Sequence, residues 1–208
     1  MVTNIEELDK KRSKIYVNQE FAFVLYKGEI AQYKLKKDCF IEENIFYEIK
    51  SKVLLKRAKK RCLNLLQKRP YTEYKLREKL AEGYYTQDII DEVIEYVKSF
   101  HYIDDYDYAC QYIFYHKESE SRRKMEEKLG LKGINKDILN QAFDDSYYDE
   151  EEQQELEIRQ AKKILEKKRY DVETMDWKEK QKIYVFLARK GFSTFIIKKA
   201  MSLQEYED

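Results

Sequence analysis

The side chains able to do chemistry are few and scattered. His101 and His116 are the two histidines. His101 follows the apolar stripe Val93, Val97 and Phe100, and His116 stands near a helix end; neither has cysteines or carboxylates at metal-binding spacing beside it. Cys39, Cys62 and Cys110 are odd in number and include no C-x-x-C pair, which fits reduced thiols in a cytoplasmic protein. The five glycines form neither G-x-x-x-x-G-K nor G-x-G-x-x-G, so no phosphate cradle is legible. Asp104 and Asp105, extended by Asp107, make a carboxylate cluster; its ordinary explanation is a helix N-cap with negative charge in the first turn. The expectation is a non-catalytic chain without metal ligands or a cofactor.

Charge is the more informative signal. The net charge is only +1, yet residues 50–80 hold twelve basic side chains against Glu73 and Glu78. Residues 144–157 invert this, with eight acids and no base, and basic residues predominate again over 159–199. Segregation of this kind steers a polyanion or an acidic protein along chosen faces, although solvated helix faces produce the same pattern. No apolar stretch approaches the roughly 18 residues of a membrane span, and the N-terminal MVTNIEELDKKRSK lacks the apolar run of a signal peptide.

With one proline and five glycines, the elements that must position these charges are mainly helices. Ile15-Tyr16-Val17 and Phe21-Ala22-Phe23-Val24 read as strands joined by a three-residue loop, Asn18-Gln19-Glu20, and Cys39-Phe40-Ile41 reads as a third strand. A helix follows over 42–68, its apolar positions Ile45, Ile49, Val53, Leu54, Ala58, Cys62, Leu65 and Leu66 leaving a basic opposite face; Pro70 ends it.

Three segments then align: LAEGYYTQDIIDEVI from Leu80, LGLKGINKDILNQAF from Leu129 and LARKGFSTFIIKKAM from Leu187. Each has a glycine (Gly83, Gly133, Gly191), an N-cap residue six places after the leucine (Thr86, Asn135, Ser193) and then an apolar pair. Further helices are expected upstream, over 105 to about 115 and over 149–168. The architecture is therefore three tandem three-helix repeats forming an elongated, curved stack after a small β extension. The boundaries fall at 1–41, 42–103, 104–146 and 147–208, with units so small that neighbours share cores. Helix–turn–helix geometry also suits DNA reading, but Gln87, Asp88, Asp91 and Glu92 present a poor face to phosphates and argue against sequence-specific recognition.

Several segments resemble the RecX family, regulators of the RecA recombinase: RPYTEYKLREKL at 69–80, YIDDYDYA at 102–109, RKMEEKL at 123–129 with KGI at 132–134, and YVNQEFAF at 16–23. Lys75 stands where that family usually has glutamate, and residues 118–121 (ESES) replace a glycine common there. The resemblance implies a monomeric, cytoplasmic protein that binds the RecA filament on single-stranded DNA and modulates its ATPase and strand exchange, usually by inhibition. The alternative is a non-specific nucleic-acid-binding helical module for single- or double-stranded DNA. Candidate contacts to RecA or DNA are Lys56, Lys60, Arg69, Arg77, Arg122, Arg123 and Lys124. Arg69 and Arg123 are chosen for their place inside the resembling segments, and the others for charge.

Overall fold

The computed structural model describes residues 1–147 and 149–202. Strands β1 (Val2–Glu7), β2 (Arg12–Val17) and β3 (Glu20–Tyr26) form an antiparallel sheet in that order. The β2–β3 loop is two residues, not three: Val17 pairs with Glu20, and Asn18 and Gln19 take φ values of 50° and 71°. Two left-handed residues give a turn whose twist matches that of the strands. Cys39-Phe40-Ile41 forms no strand; the Cys39 carbonyl accepts one bond from Val2 N (2.8 Å), and β1 supplies the remaining strand. The polar residues Asn4, Glu6 and Glu7 disguise β1 in the sequence, because an edge strand keeps most of its side chains in water.

A short helix, α1 (Lys27–Gln32), precedes the long one expected over 42–68. That rod is not uniform. Helices α2 (Glu43–Glu48) and α3 (Leu55–Leu66) are joined by a π-helical turn, Ile49–Leu54. The wider turn brings Ile49 and Leu54, five residues apart, into the same core, whereas Leu54, Ala58 and Cys62 continue at the ordinary step of four. Helices α4 (Glu73–Ala81) and α5 (Gln87–Ser99) complete the first set of three. Val2, Ile15, Phe23 and Leu25 of the sheet share one apolar cluster with Leu76, Leu80 and Val93, so sheet and first helix set bury each other.

Backbone contacts divide the chain into two compact units, residues 1–104 and those from 105 onward. The second unit holds α6 (Asp105–His116), α7 (Arg122–Gly130), α8 (Lys136–Asp144), α9 (Glu150–Lys167), α10 (Trp177–Arg189) and α11 (Thr194–Met201). Here the expectation of shared cores is not met. The α6–α8 set packs around Ile113, Met125 and Leu129, and the α9–α11 set separately around Ala161, Leu187 and Ile197. Polar contacts close the seam. Ser121, the N-cap of α7, donates to the Lys190 carbonyl (2.8 Å), and Glu157 of α9 accepts from Arg122 N (2.6 Å). The 118–121 segment thus ends in a buried, bonded cap, Ser121.

The repeated leucine is the hinge of each helix–turn–helix. Leu80, Leu129 and Leu187 are fully buried. The Leu129 and Leu187 carbonyls accept from Ile134 N and Phe192 N five residues on, and Gly133 and Gly191, just before, are left-handed at φ 84° and 92°. This is a Schellman turn, in which the residue past the glycine folds back onto the leucine. The first copy differs: Tyr84 carries the positive φ (62°), and Gly83 serves close approach, since a β-carbon there would lie 2.8 Å from the Tyr85 ring. Asn135 and Ser193 cap the following helices by accepting from Ile138 N and Ile196 N; Thr86 holds the N-cap position without closing that bond.

Candidate functional site

The basic face of α3 overlooks a cleft of about 370 Å3 in the first unit, lined by Arg12, Tyr26, Arg57, Lys60, Arg61 and Lys68, with Tyr85 from the turn after α4. Its guanidinium groups are already engaged. Arg57 pairs with Glu29, donates to the Val24 carbonyl (3.3 Å) and lies 4.7 Å over the Tyr26 ring. Arg61 reaches the Lys79 carbonyl (3.1 Å), and Arg12 pairs with Asp9 (2.7 Å). Lys56 and Lys60 are exposed and, like Lys68, form no ion pair among the described residues. These lysines are free to neutralise an incoming anion without giving up an internal partner. Lys68 was not among the expected contacts, although it lies in the same basic run.

The remaining candidates separate by geometry. Arg77 is a brace: its Nε is 2.8 Å from Glu73 and its Nη1 2.5 Å from Asp91, tying α4 to α5. Together these carboxylates hold its pKa above the ordinary arginine value against the opposing effect of burial. Arg122 is likewise internal. It contacts Glu126 (2.8 Å) and Gln153 (3.0 Å), lies 4.8 Å over the Phe143 ring, and borders a cleft with Asp144, Asp149 and Glu150. Arg123 is exposed, 3.7 Å from Glu127, and Lys124 is 2.7 Å from the same carboxylate. Arg69 is exposed, with its guanidinium 4.7 Å over the Tyr71 ring. The structure therefore brings Lys60 and Lys68 to one cleft, leaves Lys56 exposed on the same helix outside its lining, places Arg69 past the end of α3 and commits Arg77 and Arg122 to packing.

The chemistry-bearing side chains have structural places. His101 occupies the left-handed position (φ 54°) that ends α5, where its own N–H and that of Tyr102 satisfy the Lys98 and Val97 carbonyls (both 2.9 Å). His116 stacks on Tyr112 with ring centres 3.9 Å apart, and its Nδ1 lies 2.7 Å from the Tyr112 carbonyl. Burial pushes the Cys62 thiol up to about 11, which suppresses the reactive thiolate at neutral pH. Asp104 stands directly before α6, with Asp105 and Asp107 in its first turn. Among the described residues no group of three His, Cys, Asp or Glu side chains is placed to hold a metal ion, and no helix is long and apolar enough to cross a membrane.

Comparison with known proteins agrees with this arrangement of helical sets and turns. The profile for RecX, first three-helix domain, matches residues 58–96, and that for RecX, third three-helix domain, matches residues 155–201. The Regulatory protein RecX of Clostridium perfringens (strain 13 / Type A) is 31% identical over 196 residues, covering 92% of this chain and 90% of the relative. That of Clostridioides difficile (strain 630) is 29% identical over 217 residues, covering 100% and 99%. A crystal structure of regulatory protein RecX aligns with a TM-score of 0.63 at 23% identity over 98% of both chains. RecX from Lactobacillus salivarius aligns with a TM-score of 0.59 at 24% identity, over 71% of this chain and 94% of that one, and both structures speak to the fold. The chain is thus a mainly helical repeat protein with a small antiparallel sheet. It belongs to the RecX family of regulatory proteins.

Proposed function

We propose that this chain is a non-enzymatic regulator that binds, as a monomer in the cytoplasm, to the filament of the RecA recombinase on single-stranded DNA and lowers its ATPase and strand-exchange activity. Family membership carries the reading. The helical sets 42–103, 104–146 and 147–208 would act as successive docking modules, with the sheet of residues 1–41 bracing the first. Lys56 and Lys60 of α3, exposed and without an ion pair among the described residues, are its contact residues together with Arg69 and Arg123, and electrostatic complementarity sets partner choice. The ATP chemistry belongs to the partner. Titrating the chain into RecA turning over ATP on single-stranded DNA should depress hydrolysis in a saturable way. Unchanged hydrolysis together with no filament binding refutes the proposal.

A second reading, non-specific binding to nucleic acid, is favoured by the same three unpaired lysines of the first unit. It calls for DNA affinity without recombinase, with log K falling steeply as log salt rises because bound lysines release counterions.

A further inference from the structure

A second cationic cleft lies wholly within the second unit. Lys167 and Lys168 end α9, Lys190 follows α10, and Lys124 and Lys128 face them from α7 around a volume of about 640 Å3. Its floor is apolar, made by Ile164, Phe186 and Phe192. Against five lysines the lining holds one acid, Glu120, leaving a net of four positive charges. Lys128 is 2.6 Å from Glu120, and Lys124 is satisfied by Glu127. The other three lysines form no ion pair among the described residues. Two of them lie over the Phe186 ring instead, Lys168 at 4.0 Å and Lys190 at 5.7 Å from its centre. Like charges gathered over a low-dielectric floor create a focused positive potential that a bound anion relieves.

The location is repeated. Tyr85 in the first cleft and Phe192 in the second both stand five residues after the repeated leucine, on the turn that follows it. In each case lysines stand at or just past the C-terminal end of the first helix of the set: Lys68 after α3, and Lys167 and Lys168 at the end of α9. One surface of the repeat has thus acquired the same combination of cations and rings twice, from different residues.

We propose that the Lys167–Lys168–Lys190 cleft binds the phosphodiester backbone of a nucleic-acid strand, as a second site equivalent to the one beneath α3. This deepens the nucleic-acid reading and does not depend on the recombinase. A strand supplies one charge per nucleotide together with a planar base, so the lysines and the half-buried Phe186 ring are used at once. A run of acidic side chains would meet the lysines and leave the Phe186 ring unused.

The test measures binding of the full chain, without recombinase, to a fluorescein-labelled oligothymidylate of about 20 nucleotides and to a duplex of equal length. The variant Lys167→Gln/Lys168→Gln/Lys190→Gln is compared with Lys162→Gln/Lys163→Gln/Lys178→Gln, which removes three charges from the same unit outside the cleft. The Ser121 bond uses the Lys190 carbonyl and survives the substitution; circular dichroism verifies folding. Losing three phosphate contacts lowers the single-strand salt slope by about 2, from about 0.7 per phosphate, and weakens binding at least about 10-fold near 0.1 M salt, whereas the control changes it less than about 3-fold. A loss with both probes assigns recognition to the backbone alone, and a loss confined to the single strand adds the bases; either supports the site. Equal losses in the two variants, an unaffected cleft variant, no binding by the unmodified chain, or displacement by polyglutamate as effective as by unlabelled oligonucleotide overturns it.

Discussion

Replacing Gly191 by alanine perturbs the seam between the α6–α8 and α9–α11 helix sets by a single carbon. At φ 92° the new β-carbon would lie 2.5 Å from Ser121 Oγ and 3.1 Å from Lys124 N. Holding alanine in the left-handed region costs about 1 kcal/mol. Expelling the Ser121 hydroxyl forfeits its bond to the Lys190 carbonyl, about 1 kcal/mol net, and its cap on Lys124 N, about 1 kcal/mol more. The expected loss is therefore about 3 kcal/mol, or a fall in midpoint of about 14 °C for a unit of roughly 100 residues. Since two compact units need not unfold together, the readout is hydrogen exchange at the Leu187 and Ile197 amides, supported by thermal denaturation. The control, Gly130→Ala, has open space around its β-carbon and ends a helix, so it should be neutral or slightly stabilising. The decisive comparison repeats Gly191→Ala in a Ser121→Ala background. There the hydroxyl is already gone, and the added cost should drop to about 1 kcal/mol. The same cost in both backgrounds, or a loss below about 0.5 kcal/mol in the parent, refutes the account of this seam.

Arg77→Ala should destabilise the first unit by about 1 kcal/mol in urea titrations, because it leaves Glu73 and Asp91 without their shared cation. Lys60→Ala should leave stability within about 0.5 kcal/mol while weakening DNA binding, and the opposite ranking would show that their roles are exchanged. Glu157 is 8% exposed, and burial raises its pKa above the usual carboxylate value. Its protonated form favours the fold, so its contribution is full below the unfolded pKa and is lost as pH rises through the folded one. Glu157→Gln keeps an acceptor for Arg122 N without the charge; its stability relative to the parent should improve between pH 4 and pH 7, and a pH-independent difference counts against this reading. A maleimide should modify exposed Cys39 quickly and buried Cys62 only after unfolding, as peptide mapping would report; rapid labelling of Cys62 in the native protein contradicts its burial.

The helix-turn-helix repeats were legible in the sequence because the physics that makes them is local. A buried leucine, a left-handed residue four or so places later, an apolar residue folding back onto the leucine carbonyl and an N-cap after that all fall within seven residues. Any chain obeying helix-end rules must display them at that spacing. The same locality explains why the starts of α6 and α9 were anticipated closely. It also explains the slip at Gly83: a tyrosine can occupy a left-handed turn, and composition does not tell which of two adjacent residues will do so. Edge strand β1 and the π turn at Ile49–Leu54 left weaker marks, since one is mostly solvated and the other changes helical phase only to suit a distant core.

The charges followed a different rule. Arg77, Arg122 and Lys60 look alike in sequence, each a cation on an amphipathic helix. Tertiary structure set Asp91 beside Arg77 across 14 residues and Gln153 beside Arg122 across 31, while bringing no carboxylate to Lys60 among the described residues. The convergence of Lys124 with Lys167, Lys168 and Lys190 around Phe186 was likewise decided by how α7, α9 and α10 pack. Sequence by itself determined the repeated helix-turn-helix units and the family resemblance. Which cations remain free to meet an anion was decided only in three dimensions, because pairing depends on separation through space, and side-chain spacing along the chain does not specify it.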